Sequence, residues 1–199
     1  LFIVSLWLYY FDQSRLISLR GDFLSAIFYF NNWWLIFHKV SYFESFGPLS
    51  PIGHLWSLAV EEQFYLLWPV LILNAGPRRV LVTALVVAAA AVLARIVLLA
   101  GGTPPEAVYI LSATRMDALA MGAVLAALCR MPAGRQRLQR HRALLWPMAA
   151  AIGAIGWLAT QGLPRLSPAG QVFGYAVLAI CFALAVAAGV TADAIRGPA

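Results

Sequence analysis

Two adjacent glutamates lie inside an apolar stretch of the chain, HLWSLAVEEQFYLLWP at residues 54–69. A charge near the centre of a bilayer costs roughly 3 kcal/mol even on lenient insertion scales, so Glu61 and Glu62 need a partner or a proton. In a helix, His54, Ser57 and Glu61 share one face at positions i, i+3 and i+7. Because histidine exchanges a proton near neutral pH, His54 is the candidate general base. This segment therefore favours proton-transfer chemistry.

Structural interpretations of the same residues remain open. The glutamates could pair with arginines only to assemble helices, and His54 could be an interfacial histidine that hydrogen-bonds a loop. Trp56 and Trp68 stand near opposite ends of the segment and are most simply interface anchors.

A second polar group, Arg115 and Asp117, lies near the start of another apolar run. Residues two apart point to different sides of a helix, so each of these needs its own partner on another helix. We expect Arg115, or Arg95 from the preceding apolar run, to pair with Glu61 or Glu62. An arginine in such a place could also stabilise negative charge that develops on a bound substrate.

The elements that position these groups are predicted to be membrane helices. The chain of 199 residues is 62% hydrophobic and 11% charged, whereas soluble domains have about 25% charged residues. We predict an all-α, polytopic transmembrane helical bundle with about six to seven membrane segments, one of them truncated and one short or re-entrant. The apolar segments are 1–11, 23–37, 55–73, 80–100, 110–129, 143–160 and 171–190.

The basic residues predict the orientation of these segments. The net charge of +6 does not indicate nucleic-acid binding, because the arginines stand between apolar runs, where topology signals belong. Eight arginines fall on one side, predicted to be cytoplasmic, and only Lys39 and Arg165 fall on the other. The polar residues described above then lie in the outer half of the bilayer. The arginines at 130–142 are either topology determinants or a site for an anionic cofactor or lipid head group.

Smaller residues have simpler interpretations. Asn31 and Asn32, beside Trp33 and Trp34, form either a hydrogen-bonding floor or an interfacial anchor. The spacing of Ala118 and Gly122 predicts close helix packing. The cysteines, Cys129 and Cys181, have no metal-ligand spacing and are expected to pack, so no metal site is predicted.

The chain resembles a known family at two motifs. HLWSLAVEEQFYLLWP at 54–69 matches every fixed position of the pattern H-x-W-S-L-x-V-E-E-Q-F-Y-L-x-W-P of the acyltransferase 3 family, the OafA-like integral membrane O-acyltransferases. RMDALAMGAVLA at 115–126 resembles the family's R-x-D-A-L-x-x-G stretch, and NNWW at 31–34 is also family-like.

The resemblance implies an enzyme that transfers an acyl group, commonly acetyl, to a hydroxyl of a carbohydrate. Acyl-CoA is the implied co-substrate, with no bound cofactor. Carbohydrate or glycolipid acceptors and membrane lipid are the implied partners, and the bacterial inner membrane is the implied location. Residues 1–199 would be a partial domain that lacks the family's first two or so helices, with their catalytic histidine, and that is inactive alone. A transporter or flippase with intramembrane Glu/Arg groups is the alternative.

Nine residues are assigned to the site. The predicted catalytic residues are His54, Glu61, Glu62 and Arg115. The predicted substrate-binding residues are Asp117, Arg95, Ser57, Trp56 and Asn32.

Overall fold

All regular structure in the described part of the chain is helical. A computed structural model describes residues 7, 9, 10, 19–38 and 53–196, and of residues 193–196 only the backbone. The chain divides into two compact units, Leu1–Leu67 with Ile110–Ser112, and Trp68–Tyr109 with Ala113–Ala199. Most of the predicted first segment, 1–11, lies outside the described residues.

The helices follow the apolar segments, with breaks between them. The first three are α1 (Arg20–Ile27), α2 (Asn31–Phe37) and α3 (Trp56–Ile72), the last entered through a 3-10 turn, Gly53–Leu55. The next three are α4 (Pro77–Ala100), α5 (Pro105–Ile110) and, after a 3-10 turn at Ser112–Thr114, α6 (Met116–Arg130). The last three are α7 (Pro132–Arg140), α8 (Arg142–Ala159) and, after a π-helical turn at Gly170–Gly174, α9 (Tyr175–Arg196).

Three described helices are long and apolar enough to cross a membrane, namely Pro77–Ala100, Arg142–Ala159 and Gly170–Ala192. A fourth crossing results if α6 and α7 together count as one broken span. Large apolar side chains stand outward on these helices, including Leu93 at 60%, Leu158 at 77% and Phe182 at 69% exposure. Such surfaces need lipid around them, so the chain is an integral membrane protein. The count of six to seven segments is not confirmed.

The predicted short segment at 23–37 is two helices and not one span. The backbone N–H of Phe30 donates to the Ser25 carbonyl at 2.9 Å, and that of Tyr29 donates to the Ala26 carbonyl at 3.3 Å. Tyr29 has a φ of +56°. These are the two bonds and the left-handed residue of a Schellman ending, which closes α1 before α2 begins.

The predicted segment at 110–129 was wrong at its beginning, because the helix is broken before Arg115. The hydroxyl of Thr114 donates to the Val108 carbonyl at 2.6 Å. Serine and threonine side chains that bond nearby backbone compete with helix formation. Arg115 is the N-cap residue of α6, and Asp117 lies in the first turn of that helix. A carboxylate at this end interacts favourably with the helix dipole.

The chain turns by 101° between α6 and α7. Met131 has an extended backbone, as expected for a residue that precedes a proline, here Pro132. The α7 helix carries Arg135, Arg137 and Arg140 on exposed positions. These arginines end the apolar stretch that α6 forms, so the apolar sequence does not continue past the bend.

The second unit is held together by small residues at helix contacts. Ala84 on α4 packs on Ala120 and Val124 of α6, and Trp68 packs against this cluster. Between α8 and α9, a Cβ added to Gly156 would lie 2.6 Å from Cγ1 of Val177. The two helices therefore approach closely at Gly156, as small residues permit in membrane proteins.

Candidate functional site

A buried ion pair connects α4 to the beginning of α6. The Nη2 group of Arg95 donates to Oδ2 of Asp117, and the two side chains are only 1% and 5% exposed. The Nε and Nη1 groups of Arg95 have no hydrogen-bond partner among the described residues. The pair neutralises both charges and holds the first turn of α6 in place, which is a positioning role.

Arg115 lies beside the pair in a different environment. Its guanidinium carbon is 4.5 Å from the ring centroid of Tyr175 and 5.2 Å from that of Tyr109. The two rings lie 5.7 Å apart, and the Tyr175 hydroxyl donates to the Arg165 carbonyl at 3.1 Å. Cation–π contacts of this kind hold a guanidinium without neutralising its charge. Arg115 forms no ion pair within the described ranges.

These contacts correct the predicted pairing of charges. Arg95 pairs with Asp117, so its expected pairing with Glu61 or Glu62 was wrong, whereas the expected pairing of Arg115 with either glutamate stays a prediction. The expectation that Arg115 and Asp117 need separate partners is confirmed. Arg95 and Asp117 were assigned to substrate binding; they pair with each other in the structure, and the assignment stays a prediction.

An apolar groove begins at Arg115 and runs between α6 and α9. Its volume is about 680 Å³. Arg115, Asp117, Tyr175 and the thiol of Cys129 are the polar groups of its lining, and the other lining residues are apolar. The predicted packing role of Gly122 was wrong, because Gly122 lines this groove and a Cβ added there would meet nothing within 4 Å. Small residues on this face leave the groove open within the second unit.

In the first unit, Gln63 is the centre of a polar network. Its Nε2 group donates to the Tyr29 carbonyl at 2.8 Å and to Oδ1 of Asn32 at 3.1 Å. Its Oε1 atom accepts from the Ser112 hydroxyl and from Nε1 of Trp33, the latter at 3.4 Å. Gln63, which is half-buried, thereby uses both its amide nitrogen and its amide oxygen in hydrogen bonds.

Asn32 belongs to this network, and its assignment to substrate binding stays a prediction. Its Nδ2 group donates to the Ser112 hydroxyl at 2.8 Å and to the Ile110 carbonyl at 3.2 Å. The residue is fully buried. Both amide hydrogens are committed to these bonds, so Asn32 attaches α2 to residues 110–112. This is a hydrogen-bonding role and not an interfacial anchor.

The polar residues of the motif at 54–69 are exposed or half-buried. His54 lies in the 3-10 turn before α3 and is exposed, as are Ser57 and Glu61, while Glu62 is half-buried. The Ser57 hydroxyl donates to the His54 carbonyl at 3.2 Å. Glu61 and Glu62 form no ion pair within the part of the chain that is described. Their predicted catalytic roles stay predictions.

The expectation that Trp56 is an interface anchor was wrong, because its side chain is only 6% exposed and does not face lipid. Its assignment to substrate binding stays a prediction. It follows His54 and Leu55 at the point where α3 begins.

Sequence reasoning missed the residues that support these groups. Tyr109 and Tyr175 hold Arg115, but nothing in their spacing shows that they meet. Gln171 is fully buried and its Nε2 group donates to the Pro105 carbonyl at 2.7 Å, while its Oε1 atom has no partner among the described residues. A glutamine in an apolar segment was the available signal for Gln171, as it was for Gln63.

Curated proteins similar to this chain are bacterial O-acetyltransferases. The chain is 42% identical over 132 residues, 63% of its length, to the putative peptidoglycan O-acetyltransferase YrhL of Bacillus subtilis. It is 40% identical over 129 residues to the peptidoglycan O-acetyltransferase OatA of Listeria monocytogenes, and 38% identical over 120 residues to the O-acetyltransferase OatA of Staphylococcus aureus. The predicted resemblance to membrane O-acyltransferases is confirmed.

The similarity covers only part of the relatives. The matched regions are 63%, 62% and 58% of this chain but 20–21% of the three proteins, so the chain spans about a fifth of their length. No protein-family model matches the chain, and no solved structure matches it significantly.

Proposed function

We propose that this chain is a membrane region of an O-acyltransferase that transfers an acyl group, with acetyl as the expected group, to a hydroxyl of a cell-surface carbohydrate. Relatives named as peptidoglycan O-acetyltransferases support the reaction class and make a peptidoglycan-type glycan the first acceptor to test. The observation that carries the proposal is the half-buried guanidinium of Arg115, which two tyrosine rings hold and which no carboxylate among the described residues pairs with.

The proposed donor is an acyl-CoA thioester. The acceptor oxygen forms a new bond to the acyl carbon, the carbon–sulfur bond breaks, and the proton of the hydroxyl ends on the departing thiol. Negative charge develops on the acyl oxygen during this exchange, and a preorganised cation there stabilises the transition state. We assign this role to Arg115. Among the described residues it is the cation that is half-buried, contacts aromatic rings and lines an open groove.

The base that accepts the hydroxyl proton is assigned to His54 on residue type. Its exposure leaves it open to solvent and ligand. Glu61, seven residues further along, is about 10 Å away along a helix axis, so any help it gives His54 runs through water or another group. On the same segment, Glu62 remains a candidate catalytic residue and Ser57 a candidate substrate-binding residue.

The proposal places the protein in a bacterial cytoplasmic membrane, with the arginines of α7 on the cytoplasmic side. Carbohydrate is the proposed partner, and nucleic acid is not one. Transport by the same charged groups is the less supported alternative, because the named relatives are transferases and no described contact favours a substrate pathway.

The test measures acetate transferred to peptidoglycan fragments by the complete protein in membranes supplied with acetyl-CoA. Arg115→Gln should lower the rate by about 10²–10³, as removal of an oxyanion donor does, and Arg115→Lys should restore part of it. Arg135→Gln, on the exposed face of α7, is the matched control and should transfer at the wild-type rate.

Two outcomes would overturn the proposal. One is wild-type transfer by a folded Arg115→Gln protein, which removes Arg115 from the reaction. The other is movement of a carbohydrate across proteoliposomes with no covalent change in its mass, which would establish transport instead.

A further inference from the structure

We propose that the groove between α6 and α9 is a binding site for a membrane amphiphile with one hydrocarbon chain and an anionic head. The head lies at Arg115, and the chain runs along the helices toward Cys129. The site is a property of the groove and does not depend on the reaction proposed above.

The shape of the groove suits a single chain. Small residues, including Ala118, Gly122 and Ala183, form part of its lining, and the space above Gly122 is open. Its volume of about 680 Å³ lies within the range of pockets that bury one small molecule, roughly 300–1,000 Å³. A polypeptide helix about 10 Å wide and as long as the groove would occupy roughly 1,600 Å³, so a helix would remain mostly outside.

The length of the groove suits a lipid chain. Arg115 and Cys129 are fourteen residues apart, which corresponds to about 21 Å along a helix. Half of a hydrocarbon core of roughly 30 Å is about 15 Å, the depth that the chains of one leaflet fill. A chain anchored at Arg115 therefore remains within the groove over its whole length.

The charge of the groove selects the head group. Arg115 and Asp117 line the groove, and Arg95 neutralises Asp117. The two guanidinium groups and one carboxylate leave one net positive charge at this end. The remainder of the lining carries no charge. An anionic head is the complement of this arrangement, whereas a cationic head would be repelled by Arg115.

The test uses alkylation of Cys129 by N-ethylmaleimide in the complete protein, followed by mass spectrometry. Cys129 lines the groove, and Cys181, whose thiol faces the Ala149 carbonyl, is the internal reference. Palmitate should slow alkylation of Cys129 at least tenfold and leave Cys181 unchanged. Hexadecanol should protect less, and hexadecyltrimethylammonium least.

Two glycine variants separate occupancy of the groove from a general effect. Gly122→Leu fills the groove and should abolish protection by palmitate. Gly189→Leu is the matched control, because a Cβ at Gly189 also meets nothing within 4 Å and this residue does not line the groove. Arg115→Gln should remove the difference between palmitate and hexadecanol.

Three results would overturn the proposal. Cys129 that resists alkylation before any amphiphile is added would show that polypeptide fills the groove. Equal protection by all three amphiphiles would show that the head group is not recognised. Protection that persists in Gly122→Leu would place the amphiphile elsewhere.

Discussion

Arg95 on α4 donates a hydrogen bond to the carboxylate of Asp117 in the first turn of α6, and both side chains are almost completely buried. This pair accounts for the chemistry available nearby. The pair neutralises the charge of Asp117. Asp117 therefore does not neutralise Arg115, two residues earlier, which faces the rings of Tyr109 and Tyr175. One arginine thus positions the helix and the other remains available to an anion.

Removing Asp117 should destabilise the fold. Asp117→Ala leaves Arg95 as an uncompensated buried charge, so the free energy of unfolding in mixed micelles should fall by about 3–5 kcal/mol. Replacing the pair with apolar residues, Arg95→Met with Asp117→Leu, should recover most of this loss. Glu106→Ala, a half-buried acid in the first turn of α5, is the control and should change stability by less than about 1 kcal/mol. A wild-type unfolding curve for Asp117→Ala would show that the pair does not hold α6.

The ring of Tyr175 should matter more than its hydroxyl. Tyr175→Leu removes a cation–π contact of about 1–2 kcal/mol with Arg115, so the rate of acyl transfer by the complete protein should fall roughly five- to thirty-fold. Tyr175→Phe loses only the bond to the Arg165 carbonyl and should retain most of the rate. Phe173→Leu, at a side chain 63% exposed, is the control. Equal losses in the Phe and Leu variants would contradict a role for the ring.

The network of Gln63 should behave as one unit. Gln63→Leu leaves Oδ1 of Asn32 and the Ser112 hydroxyl without this partner, at about 1–3 kcal/mol for each buried polar group. Asn32→Leu should cost a similar amount, and the double variant should cost less than the sum of the two, as a denaturant titration would measure. Gln136→Leu, exposed on α7, should be close to neutral. Strict additivity in the double variant would show that the two amides act separately.

Two glycines in the second unit should respond oppositely to alanine. A Cβ at Gly156 would lie 2.6 Å from Cγ1 of Val177, so Gly156→Ala should destabilise by about 1–3 kcal/mol through overpacking. Val177→Ala in the same protein should relieve the clash. Gly122→Ala meets nothing and should be neutral or stabilise by up to about 1 kcal/mol, because alanine favours helix. Thermal unfolding in detergent distinguishes these outcomes, and destabilisation by Gly122→Ala would mean that the groove is closed by packing.

The positions of the helices follow from the sequence to the extent that hydrophobicity decides them. The runs at 80–100 and 143–160 correspond to α4 and α8, because long apolar runs in lipid satisfy their backbone as helices. The helix breaks at residue 29 and at residues 111–115 were not predicted from the sequence. They depend on the left-handed backbone of Tyr29 and on the hydrogen bond from the Thr114 hydroxyl to the Val108 carbonyl. Hydrophobicity does not report such local bonds.

By itself the sequence determined the class of this protein: a helical membrane chain with charged residues inside apolar runs, and two motifs that resemble membrane O-acyltransferases. Hydropathy and residue order suffice for that, because lipid penalises exposed backbone and unpaired charge everywhere. Only the tertiary structure decided which charges meet. Arg95 selects Asp117, Arg115 meets Tyr109 and Tyr175, and Gly122 opens a groove. A contact between residues twenty or sixty positions apart depends on how helices pack, and residue spacing along the chain carries no record of it.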